Sequence, residues 1–254
     1  MLEVREITKE YNRRAVVDHV SFTINRSEVL GYLGPNGSGK STTVRMLTGL
    51  LDPTSGEVWY GGRAIREHLT AYKRVLGYVP EEPFLYPYLS GREYLQLAAR
   101  LRCLPERAAA EKIDALLALF SLYEHRYTTI GAYSKGMKQK VLLVAALLHD
   151  LELIIFDEPL SGLDVTTALV FRNLISALAR QGKMILYSSH VLEVVEKVSK
   201  RVLILRRGKV VAHDSVEHLR AILCSPSLED VFAQVAVQED TEKLAGEMVA
   251  VIRG

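Results

Sequence analysis

The chain has 254 residues with 48% apolar and 24% charged side chains, ordinary proportions for a folded protein long enough to bury a sizeable core. Its 32 basic and 30 acidic residues leave a net charge of +2, which makes no bulk electrostatic case for nucleic-acid binding. The longest clean apolar run, 141–148, falls far short of the ~20 residues a membrane span needs; the first residues lack the pattern of a signal peptide, and Cys103 and Cys224 stand alone without metal-type spacing, which fits the cytosol.

Residues 1–28 read as a short antiparallel layer. Leu2, Val4 and Ile7 alternate loosely with charges, Asn12, Arg13 and Arg14 give a turn signal, and 16–24 reads as strand. Tyr11 stands where an aromatic ring could stack on a base or simply pack on its strand. Val29 to Leu33 is a short apolar stretch like a buried strand. It leads into Gly34, Pro35, Asn36, Gly37, Ser38, Gly39, Lys40 and Ser41, which fit G-x-x-x-x-G-K-[ST]. From Thr42 onward, Val44, Leu47 and Thr48 follow helical spacing, and Gly49 can end that helix. Strand, glycine loop and helix in this order form a phosphate-binding loop. Successive N–H groups and the helix N-terminus converge on one anion, Lys40 reaches the β- and γ-phosphates, and the Ser41 hydroxyl holds Mg²⁺.

Residues 52–56 give a turn, 57–60 a strand closed by Gly61 and Gly62, and 75–79 a second buried strand ended by Pro80. Residues 92–126 change character. Tyr94, Leu95, Ala98 and Leu101 keep helical spacing, as do Ile113, Leu116, Leu117 and Phe120, with Pro105 opening the second helix. This helical insert ends near Gly131, where 133–137 leads into a helix running through Leu148. Alternation then resumes: strand at 153–156, helix at 165–180 capped by Asp164 and closed by Gly182, strand at 184–187, a helix face of Val191, Val194, Val195 and Val198, and strand at 202–205. Short apolar strands separated by helices imply an α/β fold with a mostly parallel sheet covered on both faces. The tail begins at Ser225 and Pro226. Ser227 and Asp230 suggest a capping box for a helix carrying Leu228, Val231, Phe232 and Val235; 238–242 is polar, and 244–252 reads equally as helix or strand.

The apolar strand 153–156 ends in two adjacent carboxylates, Asp157 and Glu158. Ligands of open α/β sheets sit at the carboxyl ends of strands, so both acids should emerge beside the phosphate loop. Asp157 suits the Mg²⁺ shell, and Glu158 suits general-base or water-orienting work at the γ-phosphate. His190 follows another strand and could hydrogen-bond a γ-phosphate oxygen or the attacking water. The remaining histidines show no partner in the sequence and receive no role.

Together these motifs resemble the ATP-binding cassette (ABC) ATPases, over residues 1 to about 222. Gly34–Ser41 matches the family's Walker A loop, with Thr42 beside it at the nucleotide, Leu153–Asp157 its Walker B strand, Glu158 its catalytic glutamate, His190 its switch histidine, and Tyr11 its base-stacking aromatic. Ser161, Gly162, Leu163 and Asp164 look like the D-loop, while Tyr133, Ser134, Lys135, Gly136 and Met137 resemble the signature motif. The resemblance implies a cassette at 1–222, with an N-terminal antiparallel β layer and a helical sub-domain at about 84–148, followed by a C-terminal extension at 223–254. It implies ATP and Mg²⁺, with Ser41, Asp157 and Glu81 near the metal. Two cassettes would pair head to tail, so that Ser134 and Gly136 serve the nucleotide of the other cassette; Asp164 of the D-loop is also expected at the nucleotide. The partners implied are a second cassette, identical or not, and a separate membrane-spanning permease, which would hold the chain on the inner face of the cell membrane; no nucleic acid is expected.

Two motifs depart from the family pattern. Lys135 and Met137 replace the usual Gly and Gln of the signature, and Glu81 stands where the Q-loop glutamine is expected. The signature, together with 227–232, is similar to ATPases serving ABC-2 type exporters. Alternatives are a soluble ABC ATPase acting on DNA or ribosomes and a weakly hydrolysing regulatory cassette in a heterodimer.

Overall fold

The computed structural model describes residues 1–236, so the readings of 238–242 and 244–252 lie outside the described residues. Two sheets organise the molecule. The N-terminal sheet is antiparallel, in the order β2-β1-β4-β5, built from β1 (Leu2–Tyr11), β2 (Arg14–Ile24), β4 (Ser55–Tyr60) and β5 (Arg63–Ala64). The core sheet has the order β10-β9-β3-β8-β7-β6, from β3 (Val29–Leu33), β6 (Leu76–Val79), β7 (Leu153–Asp157), β8 (Met184–Ser188), β9 (Arg201–Arg206) and β10 (Lys209–Ser215). All its ladders are parallel except β9–β10.

Side-chain alternation divides the core strands between two hydrophobic layers. Leu30, Tyr32, Leu153, Ile155, Met184, Leu186, Leu203 and Leu205 face the N-terminal sheet and α1 (Lys40–Leu47). Ile154, Phe156, Ile185, Tyr187, Val202 and Ile204 face α6 (Val165–Arg180), α7 (Leu192–Val198) and α9 (Leu228–Ala236). Strands buried on both faces must read as continuous apolar runs, and these do.

A third hydrophobic cluster joins α3 (Gly91–Leu101), α4 (Glu106–Leu119) and α5 (Lys135–Leu147) through Leu95, Ile113, Leu117, Val141 and Val144. Helix α3 opens on a full capping box, in which Ser90 Oγ accepts from Glu93 N–H and the Glu93 carboxylate accepts from Ser90 N–H. Helix α5 belongs to two cores, because its Leu142, Leu143 and Ala146 pack against the sheet instead.

Several elements differ from the sequence expectation. Val75 ends a short helix, α2 (Leu69–Val75), and the strand begins one residue later. Val191 is 49% exposed and precedes α7: its N–H donates to Ser189 Oγ, and this turn holds it off the buried face kept by Val195 and Val198. β5, β10 and α8 (Val216–Ile222) are additional elements. Ser227 does accept from Asp230 N–H at the start of α9, but the Asp230 carboxylate takes the Ser227 hydroxyl rather than its N–H. The Leu228 N–H goes to Glu196 of α7, which also pairs with Arg220 at 2.9 Å. No helix among the described residues is long and apolar enough to cross a membrane.

His149 sits at the junction of α5 and β7, with neither ring nitrogen in a well-formed hydrogen bond. Burial first, then the nearby Arg102 and Lys112 cations, push its pKa down to about 4. Its folded value lies below its unfolded one, so its contribution is intact above pH 6.5 and is lost as pH falls from there toward 4. With partial solvent screening taken into account, His149→Gln should remove about 1 kcal/mol of the acid destabilisation, seen as a smaller loss of urea midpoint between pH 7 and 4.5. An unchanged difference would place the acid sensitivity elsewhere.

Candidate active site

The loop at 34–41 joins the end of β3 to α1, where Ser38 N–H closes onto the Pro35 carbonyl at 3.1 Å. Gly39, the residue before α1, has φ +103, and a Cβ there would meet the Val16 carbonyl at 2.7 Å. Only glycine fits both the left-handed conformation and the close approach. Helix α1 has no side-chain cap and no acid in its first turn, so its N–H groups remain available to an anion. A turn invisible to the motif braces the loop from behind: Gly208 N–H donates to Ser38 O, and Asp18 N–H donates to Gly208 O, both at 2.9 Å.

Lys40 is nearly buried. Its ammonium donates to the Gly34 carbonyl at 2.5 Å and the Pro35 carbonyl at 3.2 Å. Burial lowers its pKa, while the carboxylates of Glu158, Asp157 and Glu81 oppose that shift. The acids arrive through strand order. β8 lies between β3 and β7, and in register Ser188 of β8 stands beside both Tyr32 and Asp157. Asp157, the last residue of β7, is 4% exposed, and burial raises its pKa to about 6; Glu81 and Glu158 add to the rise, while Ser188 and Lys40 oppose it. Glu158 turns off the strand at φ +48 with its N–H on the Ser188 carbonyl. One carboxylate oxygen accepts from the His190 backbone N–H at 3.1 Å; the other has no hydrogen-bond donor and lies 3.3 Å from His190 Nε2.

A cavity of about 190 Å³ gathers Asn36, Gly37, Ser38, Gly39, Lys40, Ser41, Thr42, Glu81, Asp157, Glu158 and His190. Gly34 and Pro35 serve it indirectly, as acceptors for Lys40. Val16 of β2 completes the lining. A valine on an alternating strand looks like core, so nothing in the sequence marks it as part of a site. Tyr11 is exposed and lies outside the cavity, on the same β1–β2 hairpin as Val16, with the Lys9 ammonium 5.6 Å from its ring.

Ser134, Gly136 and Asp164 are not brought to this cavity. Ser134 caps α5, accepting from Met137 N–H at 3.2 Å. Asp164 caps α6, accepting from the Thr167 hydroxyl at 2.6 Å and from Thr167 N–H at 2.8 Å, and those bonds push its pKa down to about 2. A Cβ on Gly136 would strike the Gly162 carbonyl at 2.5 Å, so the turn before Asp164 rests directly on the start of α5. The histidines given no role lie outside the site as well, although His19 and His218 pair with Asp18 and Asp214, and His213 lies 2.7 Å from an Arg201 nitrogen.

The donor set fits a divalent cation. Asp157 is a buried acid that ionises reluctantly among other acids, and a cation would relieve it. Among the described residues no three His, Cys, Asp or Glu side chains are placed to hold a metal unaided. That suits Mg²⁺, which is commonly held by one or two carboxylates together with substrate phosphates and water.

This geometry defines a P-loop nucleoside-triphosphatase site on a mostly parallel sheet. The family model described as "ABC transporter" matches residues 17–161. An uncharacterised ABC transporter ATP-binding protein YxlF of Bacillus subtilis is 37% identical over 87% of this chain and 72% of its own length. The linearmycin resistance ATP-binding protein LnrL of the same organism is 33% identical over 93% and 75% respectively. A solved structure of an ATP-binding subunit of an ABC transporter superposes with a TM-score of 0.87 at 32% identity, covering 92% of this chain and 99% of its own. The chain belongs to the ABC transporter family and is one of its ATPases.

Lys40→Ala removes the one ammonium in the cavity, and charge-assisted bonds to phosphate are worth about 1.5–3 kcal/mol each. ATP affinity in calorimetry should fall roughly 100-fold. Retained affinity would overturn the phosphate-loop assignment.

Proposed function

We propose that this chain is the ATP-hydrolysing subunit of a membrane exporter of the ABC-2 type, working as a head-to-tail pair of cassettes docked on a separate membrane-spanning chain. The observation that carries the pairing is the incompleteness of the site. The cavity has room for phosphates but is smaller than the 300–1,000 Å³ of pockets that enclose a whole small ligand. The helix N-terminus at Ser134, a ready anion site, points its residues elsewhere. A second cassette arriving head to tail would bring Ser134 and the Gly136 N–H to the exposed side of the γ-phosphate, with Asp164 beside them.

Within this reading each residue has a chemical task. The loop N–H groups bind the β- and γ-phosphates, Lys40 exchanges its two carbonyl partners for phosphate oxygens, and Tyr11 stacks on the adenine. Ser41, Asp157 and Glu81 hold Mg²⁺, which when bound neutralises charge developing on the phosphates. Glu158 has an oxygen without a donor and can take the proton of the attacking water, while His190 orients it. Loss of the γ-phosphate removes the anion that two helix N-termini share, and the pair opens.

Docking on a membrane subunit is supported by exposed Phe84, Tyr86 and Tyr88 on the helical insert. Close by in the chain, a cleft of about 470 Å³ is lined by Leu50, Tyr78, Leu101 and Arg102. Export is supported by the signature pattern, by the 227–232 segment, and by a relative named for resistance to linearmycin. The chain then works at the cytoplasmic face of the membrane, divided into a cassette at 1–222 with a helical sub-domain at 84–148 and an extension at 223–254.

Glu158→Gln should bind ATP normally, hydrolyse it about 10²–10⁴-fold more slowly, and accumulate as a closed pair on size exclusion. Wild-type turnover would remove Glu158 from its role. Ser134→Arg should leave ATP binding to the single chain unchanged yet abolish that ATP-dependent pairing; a variant that still pairs contradicts the trans site. Tagged Glu158→Gln purified from detergent-solubilised host membranes should carry a stoichiometric multi-span protein, whereas co-purifying ribosomes or nucleic acid would reject the exporter reading.

A further inference from the structure

At the amino ends of the parallel strands, opposite the phosphate loop, opens a cleft of about 1240 Å³, far larger than the 190 Å³ nucleotide cavity. It is walled by the start of β3, the last turns of α6 and α7, and the start of α8. Its charge is unbalanced in a way the chain as a whole is not. Two of its arginines are neutralised within the wall, Arg201 by Glu28 at 2.8 Å and Arg220 by Glu196 at 2.9 Å. Arg26 makes only a solvent-exposed 3.2 Å pair with Glu152. Arg180, Lys197 and Lys200 are exposed and make no ion pair among the described residues, against a single unpaired acid, Glu217.

Helix dipoles account for part of this arrangement. Arg180 and Lys197 occupy last turns, where a cation is favoured. Lys200 lies in a loop between α7 and β9, and Arg26 in the β2–β3 connection, so the dipoles do not place them. Four cations converging on one concavity repel one another unless an anion is shared between them.

We propose that this cleft is a docking surface for an acidic polypeptide segment, distinct in place and chemistry from the nucleotide cavity. Three features select a peptide over other polyanions. The lining contains no aromatic side chain, so bases have no stacking platform. Glu217 and the paired Glu28 and Glu196 interrupt the positive field, which discrete carboxylates on a peptide can straddle but a continuous phosphate chain cannot. The surface is concave, unsuited to a flat lipid headgroup layer.

The test is fluorescence anisotropy of a short fluorescein-labelled peptide rich in Glu and Asp, titrated with the full chain at low salt. Saturable binding is expected, weakening as salt rises. The combined variant Arg180→Glu, Lys197→Glu and Lys200→Glu should lose at least roughly tenfold in affinity at unchanged ATPase activity, and Glu217→Lys should gain about twofold, each rim charge being a small contribution. If the combined variant melts early, Lys197→Glu and Lys200→Glu singly should each lose about threefold. Absence of saturable binding, affinity untouched by these variants, or displacement of the peptide equally well by oligothymidylate or phosphatidylglycerol vesicles would overturn the proposal.

Discussion

The architecture depends on keeping one ammonium almost out of water at the end of a buried sheet. Lys40 is tolerated because the loop that precedes it turns two carbonyls back onto it and because three carboxylates stand across the cavity. A buried cation with fewer partners would lose its proton or unfold its surroundings. The parallel order β3-β8-β7 meets this need, since it sets Asp157 and Glu158 across one intervening strand from the loop, with Ser188 of that strand between them. Both groups carry charge reluctantly: burial first, then Glu81 and Glu158, raises the Asp157 pKa, and burial lowers that of Lys40 against the pull of the acids. A phosphate with its cation would relieve both at once, which is why the loop and the acids are best understood as one unit.

Helix α5 converts that local chemistry into something the rest of the molecule can respond to. Its Leu142, Leu143 and Ala146 belong to the sheet core and its Val141 and Val144 to the helical insert, so it moves with neither body independently. Gly136 against the Gly162 carbonyl and the 3.5 Å approach of Lys140 to Asp164 tie its first turns to the loop after β7. The loop after β7 and the start of α5 are thus packed backbone to backbone, with no room for a side chain at Gly136.

Much of this was legible in the sequence because it rests on local rules. The loop has a fixed pattern, buried parallel strands must be apolar throughout, and Asp164 announced the start of a helix found at Val165–Arg180. What escaped notice rests on weak or distant signals. β10 is only half-buried, so its alternation is blurred, although Gly208 between two apolar runs marked the hairpin. α2 and α8 are seven residues each, too short for periodicity to stand out. Val191 was assigned to a helix face on spacing alone; the Ser189–Val191 turn that excludes it is a side-chain bond no periodic pattern contains. Likewise the contribution of Val16 to the cavity depends on two sheets meeting, a tertiary fact.

The polarity of the fold ties its two charged regions together. α1, α6 and α7 each follow a parallel strand, so their N-termini gather at the carboxyl ends of the strands and their C-termini at the opposite end. Positive helix ends then lie on the side of the sheet that carries the phosphate cavity, and negative helix ends on the opposite side. The sequence matches this field, with Arg45, Arg180 and Lys197 in the last turns of those three helices. An α/β protein that binds anions at one end thus acquires cations at the other as a consequence of chain direction. Where those cations lie on a convex surface, solvent screens them and nothing more follows. Here β3, α6, α7 and α8 bend Arg180 and Lys197 around a concavity, and Arg26 and Lys200 add charge that no helix end requires, so the field is concentrated rather than dispersed.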